Sequence, residues 1–157
     1  MEKSGDSRGE ETGRVSAVCV SEEKGTRKKP VTSITLRPGY GVVGDAHGGS
    51  ERQISLLCQE SIDKMRAQGL PTVGSGDFAE NITISGLRLN QLQVGAILRI
   101  GGNVVLRLTQ IGKECHSECE IRRISGNCIM PREGVFAEVL QGGEARAGDK
   151  VRVEELS

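Results

Sequence analysis

AILRI, GGN and VVLRLTQI, residues 96–111, read as two β-favouring runs around a three-residue, glycine-containing connection, the pattern of a β-hairpin. The same rhythm continues on both sides. Downstream come GVFAEVL (134–140), the turn-like GGEARAGD (142–149) and KVRVEE (150–155). Upstream, FAENITIS (78–85) alternates Ile82 and Ile84 with polar residues behind a turn carrying Gly74, Gly76 and Asp77, as a half-buried strand requires. RVSAVCV (14–20), VTSITL (31–36) and RQISLL (52–57) predict three more strands. Residues 59–68 predict one helix, with Cys58, Ile62 and Met65 on one stripe and Gly69 as its stop. About seven short strands with no repeated βαβ rhythm predict a mostly β fold. The expected form is a closed or nearly closed antiparallel β-barrel with one or two short helices.

A chain of 157 residues with 36% hydrophobic side chains suits a single core. Residues 1–13 are charged and poor in apolar groups, so they are expected to form a disordered tail ahead of one domain over residues 14–157. Basic and acidic residues balance at 21 each, which removes the electrostatic case for nucleic acid or an anionic membrane. Tyr40, Phe78 and Phe136 are the only aromatic residues, so no platform exists for stacking bases. Neither a signal peptide nor a spanning helix is evident, and a cytoplasmic location is expected. The basic run Arg27, Lys28, Lys29 reads as a solvated loop.

The chemistry concentrates in GKECHSECEIRRISGNCIMP, residues 112–131, which holds three of the five cysteines and one of the two histidines. Cys115 and Cys119 are spaced to share a face, and Cys128 returns after Gly126 and Asn127. Lys113, His116, Arg122, Arg123 and Arg132 surround these thiols in sequence. Nearby cations favour thiolate over thiol, from a reference pKa of about 8.5. Cys115 directly follows the strand VVLRLTQI, so it is the expected functional sulfur, with Cys119 and Cys128 as supporting thiols; Cys19 and Cys58 sit in apolar runs and read as packing residues. The turns GDAHGG and GDFAEN offer Asp45, His47, Asp77, Glu80 and Asn81 as polar groups for a pocket. A zinc-like site made from Cys115, His116, Cys119 and Cys128 is the alternative, although the spacing lacks paired CxxC knuckles.

The segments GVVGDAHGG, RQISLLCQESIDKMRAQGL, GDFAENITISGL, LQVGAILRIG, LTQIGKECH and CIMPREGVFAEVLQGGEARAGDKV, in this order, resemble the MOSC domain, named for the C-terminal domain of molybdenum cofactor sulfurase. The resemblance spans residues 14–154 and implies a β-barrel acting on sulfur or on the molybdenum cofactor, a molybdopterin. It implies that Cys115 matches the cysteine that ligates molybdenum or carries sulfur, and that Asp45 and His47 match a glycine-rich GD-x-H pattern. No pyridoxal-phosphate domain accompanies it, so sulfur is expected to pass from a cysteine desulfurase or on to a molybdoenzyme acceptor. Some relatives imply a third activity, molybdenum-dependent reduction of N-hydroxylated compounds, which needs electron-transfer partners.

Overall fold

The computed structural model describes residues 10–23, 27–46, 48–49, 53–68, 74–76, 78, 80–112 and 134–154. Its strands, in chain order, are β1 (Glu10–Val20), β2 (Lys29–Val31), β3 (Ser33–Arg37), β4 (Gly41–Val42) and β5 (Ile54–Cys58). They continue as β6 (Ile82–Ser85), β7 (Ile97–Ile100), β8 (Val104–Ile111), β9 (Val135–Gln141), β10 (Gly143–Arg146) and β11 (Lys150–Glu154). Helix α1 (Gln59–Ala67) lies between β5 and β6, and a 3-10 turn covers Leu89–Gln91.

Seven strands close into a barrel in the order β1, β11, β7, β8, β9, β5, β6 and back to β1. The hairpin expected at residues 96–111 is present, with Ile100 paired to Val104 across the three-residue turn. Six of the seven barrel pairings are antiparallel, and the seventh, β5 with β6, is parallel. Parallel neighbours need a crossover between them. Helix α1 is part of that connection and packs on both strands.

Three local readings shift. β1 starts at Glu10 because residues 10–14 pair with β11, so an unfavourable composition is overridden by a partner strand. The run VTSITL divides: Val31 ends β2, which pairs with β1, while β3 joins a separate three-stranded sheet with β4 and β10. GGEARAGD is not all turn, since Gly143–Arg146 pairs residue by residue with β3.

Side-chain alternation separates two buried layers. Ile54, Leu56 and Cys58 of β5 belong to the barrel interior with Ile82, Ile84, Leu98, Ile100, Leu106, Leu108, Val135 and Val153. Ser55 and Leu57 therefore face outward, yet both are buried. The cover comes from α1, whose buried face carries Ile62 and Met65. This explains why ISLLC is apolar almost throughout, as a strand covered on both faces should be. Among the described residues no helix is long and apolar enough to cross a membrane.

β7 gives a direct check of this alternation. Leu98 is fully buried, so Leu98→Ala should cost about 2–5 kcal/mol in urea unfolding. Its neighbour Arg99 is a half-exposed partner of Glu154, and Arg99→Ala should stay within about 1 kcal/mol of the parent.

Candidate functional site

Of the residues singled out by sequence, Lys113, Cys115, His116, Cys119, Arg122, Arg123, Cys128 and Arg132, with His47 and Asp77, lie outside the described residues. The feet of residues 113–133 are described. Gly112 N donates to Gly134 O at 2.6 Å, closing the base of the segment. Next to these feet, Ile111 pairs with Val135, Val135 with Leu56, and Leu56 with Ile82, one row across four adjacent strands. At about 4.8 Å between strands, Val135 stands about 10 Å from β6. On the other side of this row come Ser55, Asn81 and Glu80.

Asp45 sits where the chain turns after β4, its N–H bonded to Val42 O at 3.2 Å. Its Oδ1 accepts from Lys28 Nζ at 2.8 Å and from Ser21 N at 3.0 Å. Lys28 Nζ also donates to Ser21 Oγ at 3.1 Å, and Ala46 N donates to Ser21 O at 2.8 Å. Both the Lys28 and the Asp45 side chains are 0% exposed. Reading the basic run as wholly solvated is thus wrong at its middle residue: Arg27 and Lys29 are exposed while Lys28 is buried. The usable signal was position, because successive side chains of extended backbone leading into β2 point to opposite sides.

Glu80 and Asn81 precede β6 and are both fully buried. Glu80 Oε2 accepts from Gly76 N at 2.6 Å and Thr83 Oγ1 at 3.1 Å, while Oε1 accepts from Phe78 N at 3.2 Å. Asn81 Oδ1 accepts from Ser55 N at 3.0 Å, and Asn81 Nδ2 donates to Cys19 O at 3.1 Å. These polar atoms are spent on the protein's own groups and brace the chain against β1 and β5. Ser21, Ser55 and Thr83 were not singled out by sequence, and Lys28 and Gly76 were read only as loop and turn residues; Ser21, Lys28 and Ser55 act through partners 7 to 26 residues away.

Gly76 joins the two turns. Lys28 N donates to Gly76 O at 2.7 Å, and Gly76 adopts φ +88. A Cβ there would lie 2.1 Å from Lys28 O, so only glycine permits the approach. The GDAHGG and GDFAEN turns, expected from sequence to share a pocket, are therefore linked through Asp45, Lys28, Gly76 and Glu80. Beside the Asp45 turn opens a cleft of about 570 Å³ whose walls include Ser21, Glu22, Arg27, Lys29 and Gly44. Cys19 and Cys58 are buried, in keeping with packing roles. Cys58 Sγ donates to Leu87 O at 3.1 Å and accepts from Leu89 N at 3.4 Å. Among the described residues no cluster of His, Cys, Asp and Glu is arranged to hold a metal ion.

Burial pushes the Glu80 carboxyl up to about 7 from 4.5, against the opposing pull of its hydrogen bonds. The folded state then holds this proton more tightly than the unfolded chain, so stability falls as pH rises from about 4.5 to 7 and levels off above. At 1.36 kcal/mol per pKa unit the fall is about 3 kcal/mol. Urea unfolding between pH 4.5 and 8 should show this slope in the parent and lose it in Glu80→Gln.

Comparisons with known proteins agree with the architecture. The MOSC domain model matches residues 43–152. The YuaD protein from Bacillus subtilis superposes with a TM-score of 0.80 at 17% identity, covering 94% of this chain and 98% of that one. YiiM from Geobacillus stearothermophilus gives 0.71 at 19% identity, covering 91% and 75%. YiiM from Escherichia coli gives 0.66 at 16% identity, covering 93% and 71%. No curated protein matches the sequence. At these identities the structures speak for the fold, while the family model spans well over half of the sequence. With its closed seven-stranded barrel, the chain belongs to the MOSC domain family.

Proposed function

We propose that this MOSC domain handles the molybdenum cofactor or its sulfur, with Cys115 as molybdenum ligand or persulfide carrier. The observation that supports this reading best is the linked pair of turns, Asp45 through Lys28 and Gly76 to Glu80, beside a cleft. At about 570 Å³ the cleft is within the range of small-molecule sites. The walls are of mixed charge, with Arg27 and Lys29 facing the same cleft as Glu22 and Glu23; Arg27, Lys29 and Ser21 are the donors it offers to a phosphorylated pterin. Asp45 and Glu80 hold the walls and do not serve as ligands in this reading, because their oxygens accept from the protein's own N–H and O–H groups.

The cysteine segment is long enough to take part. Its 21 residues, 113–133, can go out and back with ten on each limb, a reach of about 30 Å. Its foot on β9 stands three strands, about 14 Å, from β1, whose end lines the cleft. Lys113, His116, Arg122, Arg123 and Arg132 supply cations that favour the Cys115 thiolate and an anionic ligand. As a carrier, the thiolate attacks the outer sulfur of a donor persulfide, forming one S–S bond while another breaks, and the donor leaves as thiolate. When bound, the cofactor supplies a metal centre for oxygen-atom or sulfur chemistry, and a thiolate is a soft ligand suited to it.

Protein purified without oxygen from molybdate-supplied cells should carry molybdenum with pterin, or a persulfide visible in the intact mass. Cys115→Ser should lose that load at least tenfold while keeping the parent's circular dichroism. Cys119→Ser and Cys128→Ser should each retain part of it. Stoichiometric zinc without pterin, released on substitution of any of the three cysteines, would overturn the proposal in favour of a structural metal module.

A further inference from the structure

Lys28 is the most deeply buried cation among the described residues, and its side chain and backbone serve different segments. Its ammonium reaches the Asp45 carboxylate and the Ser21 hydroxyl. Its backbone N–H reaches Gly76 O, and its carbonyl is what excludes a Cβ at Gly76. Gly76 N in turn donates to Glu80. The end of β1, the GDAHGG turn and the GDFAEN turn therefore meet at one residue, whose flanking Arg27 and Lys29 line the adjoining cleft.

We infer that Lys28 is a positioning residue, whose buried charge sets the GDAHGG and GDFAEN turns relative to each other and so shapes the adjoining cleft. The functional half of this inference rests on the reading of that cleft as a cofactor or sulfur site; the coupling of the two turns does not. Charge is the relevant property because it is directional here. Asp45 Oδ1 accepts from both Lys28 Nζ and Ser21 N, and Lys28 Nζ also donates to Ser21 Oγ, so three groups are tied together by directional hydrogen bonds. An apolar pair of similar volume would fill the same space without defining an orientation. Buried ion pairs exchanged for such apolar pairs often keep their stability, whereas removing one partner strands a buried charge. That difference separates a positioning role from a purely structural one.

The test compares Lys28→Met, Asp45→Leu and the double variant in the full chain. Each single variant should lower the unfolding midpoint, and the double variant should recover most of the loss. Two readouts then decide. In the double variant, amide hydrogen exchange at Ala46 and Gly76 should remain at least tenfold faster than in the parent, with Leu98 and Leu106 in the barrel unchanged. Molybdenum and pterin content, or persulfide on the intact protein, should remain at least tenfold down although stability has returned. Parent-like exchange at Gly76 in the double variant would overturn the coupling. Parent-like loading would overturn the functional role. If the parent itself carries neither pterin nor persulfide, the cofactor reading fails, and the exchange data still decide whether Lys28 couples the turns. If the double variant does not recover stability, Lys28→Gln combined with Asp45→Asn, which removes both charges while keeping polar groups of similar size, provides the same exchange comparison. Parent-like exchange at Ala46 and Gly76 there would count against the inference.

Discussion

Closure of the barrel depends on β1. Its first five residues pair with β11, its middle with β6 and its last three with β2, so one strand of 11 residues joins the amino-terminal, central and carboxy-terminal parts of the chain. A sheet closed in this way leaves no free edge within the ring. It also fixes the surroundings of Cys19 and Ser21, because the strand that seals the barrel runs directly into the polar groups beside the cleft.

The parallel pairing of β5 and β6 is the second constraint. It forces the connection, including α1, over the outer face of the barrel, where Ile62, Met65, Leu57 and Phe78 form buried apolar cover. Backbone brought over a sheet in this way must find hydrogen-bond partners. Glu80 and Asn81 supply them. A fully buried carboxyl taking two N–H groups, and a carboxamide bonding to β1 and β5, hold the return into β6 without a regular ladder. The cost of that arrangement is the desolvation that raises the Glu80 pKa. The polar residues of GDFAEN thus support the wall of the cleft from within the protein.

Lys28 and Asp45 extend the same logic to a pair of charges. Neither would be tolerated alone with no exposure, and together they close a gap between segments 17 residues apart in sequence. The fold places this pair beside a cleft lined by Glu22, Glu23, Arg27 and Lys29, and the segment bearing Cys115, Cys119 and Cys128 connects the paired strands β8 and β9. Rigid barrel strands thereby set the base of a chemically dense segment, as a functional site on a stable scaffold requires.

Local pattern was enough for much of this. Alternation in ILRI and VVLRLTQI, the intervening glycines, and the spacing of Ile62 and Met65 determined the hairpin, the helix and the mostly β class, because these depend on neighbours two to four residues away; Cys58, expected on the same stripe, instead ends β5 and belongs to the barrel interior. Segment order carried the family resemblance for the same reason. The parallel β5–β6 pair, the transfer of β3 and β10 into a second sheet, and the start of β1 at Glu10 depend on strands far apart in sequence, whose pairing no local pattern specifies. The candidate site divides along the same line. Composition and spacing marked Asp45, Glu80 and Asn81 as polar residues in glycine-rich turns, but only the tertiary structure decided that they face protein groups, and that Lys28 leaves an exposed basic run to join them. A charged side chain is buried only where a partner is delivered from elsewhere in the fold, and that delivery is a property of the closed barrel.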